Sequence, residues 1–264
     1  MKKVKDLFMM IALFVLFSVV YVSFVVANPP SINSAINDSD SYIFGAHRGN
    51  SVDFIENTFL AIESSILDDK YSFVEFDIQY TKDKEIILLH DRTFYVDGVK
   101  KSVGELSKKE LEEIVGYSIP IYEDIMKMIN GKKSIVIEIK SHGNLEEDKE
   151  LVDFVIEDLK ERKILDKTCL ISISGDVVKY VNENYSEVKN GKVYWVIAPG
   201  IFPVDFVIED FYQEIEEIGA DYIFIYGSNY RYDKYLEENK PDDVKICYWY
   251  FTDEIYVFDK EFLR

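Results

Sequence analysis

Three histidines occur in the 264 residues, and two of them open short polar signatures, His47-Arg48-Gly49 and His90-Asp91, that bracket the alternation Glu75-Phe76-Asp77. Each group closes an apolar run: Tyr42 to Ala46 before His47, Phe73-Val74 before Glu75, and Ile86 to Leu89 before His90. A fourth run, Ile135 to Ile137, ends in Glu138-Ile139-Lys140. Proton carriers, carboxylates and cations gathered at strand ends are the groups that metal-assisted attack on a phosphate ester uses. In a strand, residues i and i+2 share a face, so Glu75 and Asp77 point one way, as do Glu138 and Lys140, while Phe76, Ile78 and Ile139 face the other side. Several carboxylates on one interior face demand a cation, either a metal or a basic side chain. Oxygen-only ligands, with no Cys or His pair at zinc-ligand spacing, favour Ca²⁺ or Mg²⁺.

At these residues the chain resembles the glycerophosphodiester phosphodiesterase family. The resemblance runs through Ala46-His47-Arg48-Gly49, Glu56-Asn57-Thr58, Val74-Glu75-Phe76-Asp77, Thr81-Lys82-Asp83, Leu89-His90-Asp91, Ile119-Pro120 and Glu138-Ile139-Lys140, in the family's order and with similar spacing. It covers roughly Tyr42 to Thr252 and is dense up to Lys140. It implies a (β/α)₈ TIM barrel in which Glu75, Asp77 and Glu138 hold a divalent metal, His47 and His90 act as acid and base, and Arg48 and Lys140 contact the phosphate. It also implies an aromatic facing the site near the end of the seventh strand, where this chain has Trp249. Beside these stand supporting residues: Glu56, which orients Arg48 or touches substrate; Asn57, which serves the site or only starts a helix; and Asp91, which sets the tautomer of His90. His142, in a polar loop, reads as a solvent histidine.

The chain also departs from the family. No proline precedes Glu56, and the Arg-Thr-Thr pattern after His-Asp is absent. The sequence ends thirteen residues after Phe251, without the family's regular eighth strand. Either residues 254–264 close the barrel in an unusual way or the barrel is shortened. The implied activity is metal-dependent hydrolysis of glycerophosphodiesters to glycerol 3-phosphate and an alcohol. Two alternatives stand beside it: a lipid-directed phosphodiesterase like lysophospholipase D or sphingomyelinase D, and a catalytically silent, membrane-tethered binding domain.

The elements that must position these residues follow from periodicity. Apolar runs alternate with amphipathic stretches from Tyr42 onward, the mark of βα repetition and a parallel sheet. The pattern predicts core strands at Ile43–Ala46, Phe73–Gln79, Ser134–Ile139, Thr168–Ile173, Val193–Ala198, Tyr222–Tyr226 and Val244–Phe251. It predicts helices at Thr58–Leu67, Ser107–Val115, Tyr122–Ile129, Leu145–Glu161, Asp176–Asn184, Asp205–Ile218 and Asp233–Asn239, with Asn57 and Ser107 as N-caps. Residues 85–89 extend the second βα unit and deliver His90 and Asp91 to the barrel mouth, and Arg92 to Gly104 leaves a small insertion. Most of the 19 Tyr and 18 Phe read as core, and Cys169 and Cys247 as small buried residues without a bridge.

Three segments follow: residues 1–27, a transmembrane anchor or signal peptide; 28–41, a linker; and 42–264, the barrel. Lys2, Lys3 and Lys5 precede an uncharged apolar run from Phe8 to Ala27 that as a helix would be about 30 Å long. The positive-inside bias sends the barrel to the outer side, membrane-anchored or, after cleavage, secreted. The linker is rich in Asn, Ser and Asp and spans at most ~50 Å extended. A net charge of −19 disfavours nucleic acid and gives no attraction to anionic lipid. The expected partners are a small glycerophosphodiester or lysolipid substrate and, through the N-terminal segment, a membrane.

Overall fold

Apolar runs and helical stripes alternate in the chain as strands and helices alternate in space. The structure, a computed structural model, describes residues 13–16, 42–195, 204–252 and 254–263, with backbone alone at 204–209 and 231. In chain order the elements are β1 (Ile43–Ala46), α1 (Phe59–Leu67), β2 (Phe73–Tyr80), β3 (Ile86–Leu88), β4 (Thr93–Val96), β5 (Val99–Ser102), α2 (Lys108–Val115), α3 (Tyr122–Ile129), β6 (Ser134–Ile139), α4 (Leu145–Arg162), β7 (Thr168–Ser172), α5 (Gly175–Asn184), β8 (Lys189–Tyr194), α6 (Val204–Ile218), β9 (Tyr222–Tyr226), α7 (Asp233–Asn239), β10 (Lys245–Trp249) and β11 (Glu254–Val257). Strands β1, β2, β6, β7, β8, β9, β10 and β11 pair in that order, and β11 returns to β1. The result is a closed eight-stranded α/β barrel of the TIM type.

Closure is achieved in an unusual way. The first seven barrel strands are parallel, but β11 is antiparallel to both β10 and β1. Only four residues separate Trp249 from Glu254, whereas a parallel return needs a crossover of about a dozen or more. The chain therefore turns back as a hairpin, with the Tyr250 N–H donating to the Glu254 carbonyl at 3.0 Å. Beyond β11, Phe262 and Leu263 fill the lower end of the barrel; Phe262 lies 5.2 Å from Phe73 and 4.8 Å from Tyr222, ring centre to ring centre.

The interior is set by strand parity. Phe73, Val136, Cys169, Ile171, Val193 and Phe224 point inward, while Phe76, Ile78, Ile137 and Ile139 pack outward against the helices. Gly45 and Gly191 make room for aromatic neighbours: a Cβ on Gly45 would lie 2.1 Å from the Phe73 ring, and one on Gly191 3.0 Å from that of Phe224. Cys169 and Cys247 are free and buried in this interior.

Two expectations are corrected here. The fifth strand is Lys189–Tyr194, earlier than the predicted 193–198; its first two inward positions are Lys189 and Gly191, neither of which carries an apolar side chain to signal a strand. Residues 196–198 of the predicted span lie outside the described residues. The small insertion after His90 is the β4–β5 hairpin. Asn57 is not a cap: the hydroxyl of Thr58 accepts the Ala61 N–H and starts α1, while Ser107 starts α2 in a capping box with Glu110. Among the described residues no helix is long and apolar enough to cross a membrane. The Phe8–Ala27 run and the linker lie outside the described residues, apart from 13–16, which are helical and exposed.

Candidate active site

The inward row of β1 runs Ile43, Gly45 and on to His47, so the imidazole enters the barrel mouth. Its Nδ1 contacts the carbonyl of Tyr250 and lies 3.3 Å from that of Thr252. A carbonyl can only accept, so Nδ1 carries the hydrogen and Nε2 is left as a lone-pair acceptor. Burial, reinforced by the charge of Arg48, lowers the His47 pKa to about 3, which keeps the ring neutral.

The backbone then turns sharply. Arg48 and Gly49 have φ of +58° and +74°, and a Cβ at 49 would lie 2.6 Å from the Ala61 backbone, so glycine is required there. The turn aims Arg48 N–H at Glu75 Oε2 (2.8 Å) and places Nη1 on Glu56 Oε2 (2.7 Å). Glu56 thus orients Arg48. Asn57, also left-handed at φ +56°, binds Asp77 from both sides: its Nδ2 donates to Oδ2 at 2.7 Å, and its Oδ1 accepts the Asp77 N–H at 3.0 Å.

Glu75, Asp77 and Glu138 are buried, and one oxygen from each lies within 4.8 Å of the others. Lys140 Nζ sits 2.8 Å from Asp77 Oδ1 and 2.8 Å from Glu138 Oε1. Lys140 is therefore tied to two of the three clustered carboxylates as well as facing the cavity. Burial alone would raise Asp77, but Lys140 and Arg48 outweigh it and hold this carboxyl below the usual range. Burial, then the charges of Asp77 and Glu138, push Glu75 well up, and burial also raises Glu138 despite Lys140.

These residues fit a divalent cation. Glu75 Oε1 is buried with no hydrogen-bond partner, a costly state that a cation would relieve. An ion ~2.0–2.6 Å from each oxygen bridges oxygens up to ~5 Å apart, a span that suits either Mg²⁺ or Ca²⁺.

On the opposite lip, His90 Nδ1 lies 3.2 Å from Asp91 Oδ1. Burial lowers the His90 pKa too. Gln79 was not singled out from sequence. Its Nε2 donates to the carbonyls of Leu89 (2.5 Å) and Asp91 (3.0 Å), bracketing His90. The signal was available, because Gln79 continues the inward row of Glu75 and Asp77. His142 corrects an expectation: it lines the same cavity, with Nε2 buried, and is not a solvent histidine. Its loop is drawn in by Arg92, whose Nη1 donates to the Ser141 carbonyl at 2.9 Å.

The cavity, about 440 Å³, is lined on one side by His47, Arg48, Glu75, His90, Glu138 and Lys140, and on the other by apolar groups that include Trp195 and Trp249. Trp249 stands 5.6 Å from the His47 ring and donates through Nε1 to the Tyr194 carbonyl at 3.2 Å. Such a site, with two imidazoles beside a carboxylate cluster that fits a cation, is equipped to move protons at a bound phosphodiester.

The family model described as the Glycerophosphoryl diester phosphodiesterase family matches residues 47–197. A glycerophosphodiester phosphodiesterase of Bacillus altitudinis is 27% identical over 138 residues, 48% of this chain and 56% of that protein. The chain spans about half the length of the curated relatives it matches. Among solved structures, the glycerophosphodiester phosphodiesterase of Thermotoga maritima superposes with a TM-score of 0.58 at 21% identity, covering 80% of this chain and 87% of that one. A phosphodiesterase of Oleispira antarctica, solved with the product sn-glycerol-3-phosphate, does so with a TM-score of 0.60 at 17% identity over 78% and 83%. At these identities the structures speak for the fold.

Proposed function

Because the chain belongs to the glycerophosphoryl diester phosphodiesterase family, we propose that it hydrolyses glycerophosphodiesters to glycerol 3-phosphate and an alcohol. The observation that carries this reading is the convergence of Glu75, Glu138, His47 and His90 on one cavity, with Asp77 buried between the two glutamates. Glu75, Asp77 and Glu138 would hold Ca²⁺ or Mg²⁺, which when bound supplies Lewis acidity toward a phosphate oxygen. Arg48, held by Glu56, and Lys140 bring positive charge to the phosphodiester, which a protein of charge −19 otherwise repels.

His47 is neutral, with Nε2 as acceptor, and takes the proton from the attacking hydroxyl, whether of water or of the substrate's own glycerol. His90, its Nδ1–H turned to Asp91 and its loop steadied by the Gln79 amide, enters the step as the imidazolium and gives its Nε2 proton to the departing alkoxide, and proton exchange with solvent restores both rings. Trp249 covers the face of the cavity beside His47 and excludes water there. In the proposed setting the barrel stands outside the membrane, tethered by the Phe8–Ala27 run with Lys2, Lys3 and Lys5 retained inside.

Glycerol 3-phosphate release from glycerophosphocholine and glycerophosphoglycerol by the purified full chain tests the activity. Release should require Ca²⁺ or Mg²⁺ and stop with chelator; no release with either metal refutes the reading. Protease added to intact cells should digest the barrel, and full protection until lysis refutes the topology.

A further inference from the structure

The cavity has a third side, and a hairpin builds it. Strands β4 and β5 join through Asp97-Gly98, both left-handed at φ +50° and +78°, a two-residue turn of the kind that fixes hairpin register. Thr93 pairs with Ser102 and Tyr95 with Lys100, so these four side chains leave from one face of the hairpin, while Phe94, Val96 and Lys101 leave from the other. Phe94 and Val96 pack against the cluster of Ile87, Leu89, Val103 and Leu106, which turns the first face toward the active site. Thr93, Lys100 and Ser102 line the cavity there, together with Arg92 and His142.

This side carries uncompensated positive charge. Arg92 Nη1 donates to the Ser141 carbonyl at 2.9 Å, which holds the guanidinium in place without neutralising it. Among the described residues neither Arg92 nor Lys100 pairs with a carboxylate, whereas Arg48 and Lys140 are both bound to carboxylates of the site. The neighbouring carboxylates are turned elsewhere. Asp91 faces His90 Nδ1 at 3.2 Å, Glu105 accepts the Ser102 N–H and hydroxyl at 2.7 and 2.9 Å, and Glu147 pairs with Lys84 at 2.7 Å. In a chain of net charge −19, two uncommitted cations on one cavity wall mark a place for an anion.

His90 stands on this same lip, two residues before Arg92. His47 stands across the mouth beside the apolar wall: Trp249 lies 5.6 Å from its ring, Trp195 lies 5.7 Å from Trp249, and Ile173 extends the wall. A departing alcohol leaves toward the imidazole that protonates it, so it occupies the hairpin side. We propose that this side is a second anion subsite, in which Arg92 and Lys100 hold a phosphate carried by the leaving alcohol. The inference rests on the hydrolase reading and names its substrate class: a glycerophosphodiester whose alcohol bears a phosphate of its own. The planar guanidinium suits such a group by two parallel hydrogen bonds, and the ammonium suits it as a point charge. A phosphorylated head group and a run of repeated phosphodiesters share this chemistry. An alcohol that ends in an ammonium would meet like charge.

Phosphonate analogues, in which a methylene replaces the scissile oxygen, separate binding from turnover. The full chain with Ca²⁺ is titrated calorimetrically with the analogue of glycerophosphoglycerol, with the same analogue carrying a terminal phosphomonoester, and with one carrying a second phosphodiester. A second phosphate should tighten binding roughly tenfold or more, the range of one charge-assisted hydrogen bond, and the gain should shrink with added salt. A gain from the monoester alone identifies a phosphorylated head group as the source, and an equal gain from both identifies a repeated phosphodiester. Lys100→Glu, at an exposed position, should abolish the gain; Lys101→Glu, the same charge change on the other face of the hairpin, should keep it. Equal affinity for the plain and the phosphate-bearing analogues overturns the proposal, as does a gain that Lys100→Glu retains or that Lys101→Glu loses equally. Glycerol 3-phosphate release from glycerophosphoglycerol is measured beside it. Release without the gain refutes the subsite alone, and the gain without release refutes the hydrolase reading while the anion subsite stands.

Discussion

Replacing Asn57 by alanine isolates the side chain that joins the β1–α1 turn to the carboxylate cluster. Asn57 is buried and makes two hydrogen bonds to Asp77, one to the carboxylate at 2.7 Å and one from the backbone N–H at 3.0 Å. Alanine leaves both groups buried and unpaired, at ~1–3 kcal/mol each. It must also adopt the left-handed backbone at φ +56°, for ~1–2 kcal/mol more. Arg48 Nε, 3.6 Å from the same carboxylate oxygen, recovers part of the loss, so the expected destabilisation is about 3–5 kcal/mol.

Two further variants separate the terms. Asn57→Gly tolerates the backbone and should be milder by about 1 kcal/mol, while Thr58→Ala removes the helix cap and the exposed hydroxyl bond to the Ile55 carbonyl and leaves Asp77 untouched, for about 1 kcal/mol. Urea unfolding of the metal-free protein measures each, and calorimetric titration with Ca²⁺ and Mg²⁺ measures the site. Asn57→Ala should weaken metal binding and Thr58→Ala should not. If Asn57→Ala costs no more than Thr58→Ala and binds metal like the wild type, Asn57 is only a helix-start residue and the reasoning fails.

Glu138→Gln should abolish metal binding in the same titration and turnover with it, yet fold normally, because Lys140 keeps its pairing with Asp77. Metal affinity should fall as pH is lowered, since the raised Glu75 carboxyl takes up a proton that the cation must displace; affinity independent of pH contradicts this. The folded pKa of His47, about 3, lies below its ordinary 6.5, so its stabilising effect is complete above pH 6.5 and fades as pH falls toward 3, by about 1.4 kcal/mol per pH unit. In chelator the stability gap between wild type and His47→Gln should therefore narrow on acidification. Phe262→Ala opens the plugged end of the barrel and should lower the urea midpoint by about 3–5 kcal/mol of stability, while glycerol 3-phosphate release at low denaturant persists.

Chemistry was legible where it followed from residue type and from a period of two. The inward row Glu75, Asp77 could be read because Phe76 and Ile78 alternate with it, and the amphipathic stripe of Leu151, Val155 and Leu159 places α4 within a residue at its C-terminal end. The same rule, applied to Gln79, Ile173 and Trp195, would have found the support of His90 and part of the apolar wall. Parity says which way a side chain points but not what stands opposite, so the partners came only from the closed barrel. The Tyr250 carbonyl that sets the His47 tautomer lies 203 positions along the chain. Strand β8 was misplaced because Gly191 has no side chain to register in a pattern, and only the Phe224 ring across the barrel explains it. The eighth strand was invisible for a related reason. Glu254–Val257 is four residues long, too short for periodicity, and its direction is decided by the lack of chain for a crossover and by the open edges of β1 and β10 that it satisfies. Local pattern thus determined six of the eight barrel strands, their faces and the reactive groups. Which groups meet, which histidine nitrogen is free and how the barrel closes were decided by contacts distant in sequence, where burial makes every unpaired polar group costly.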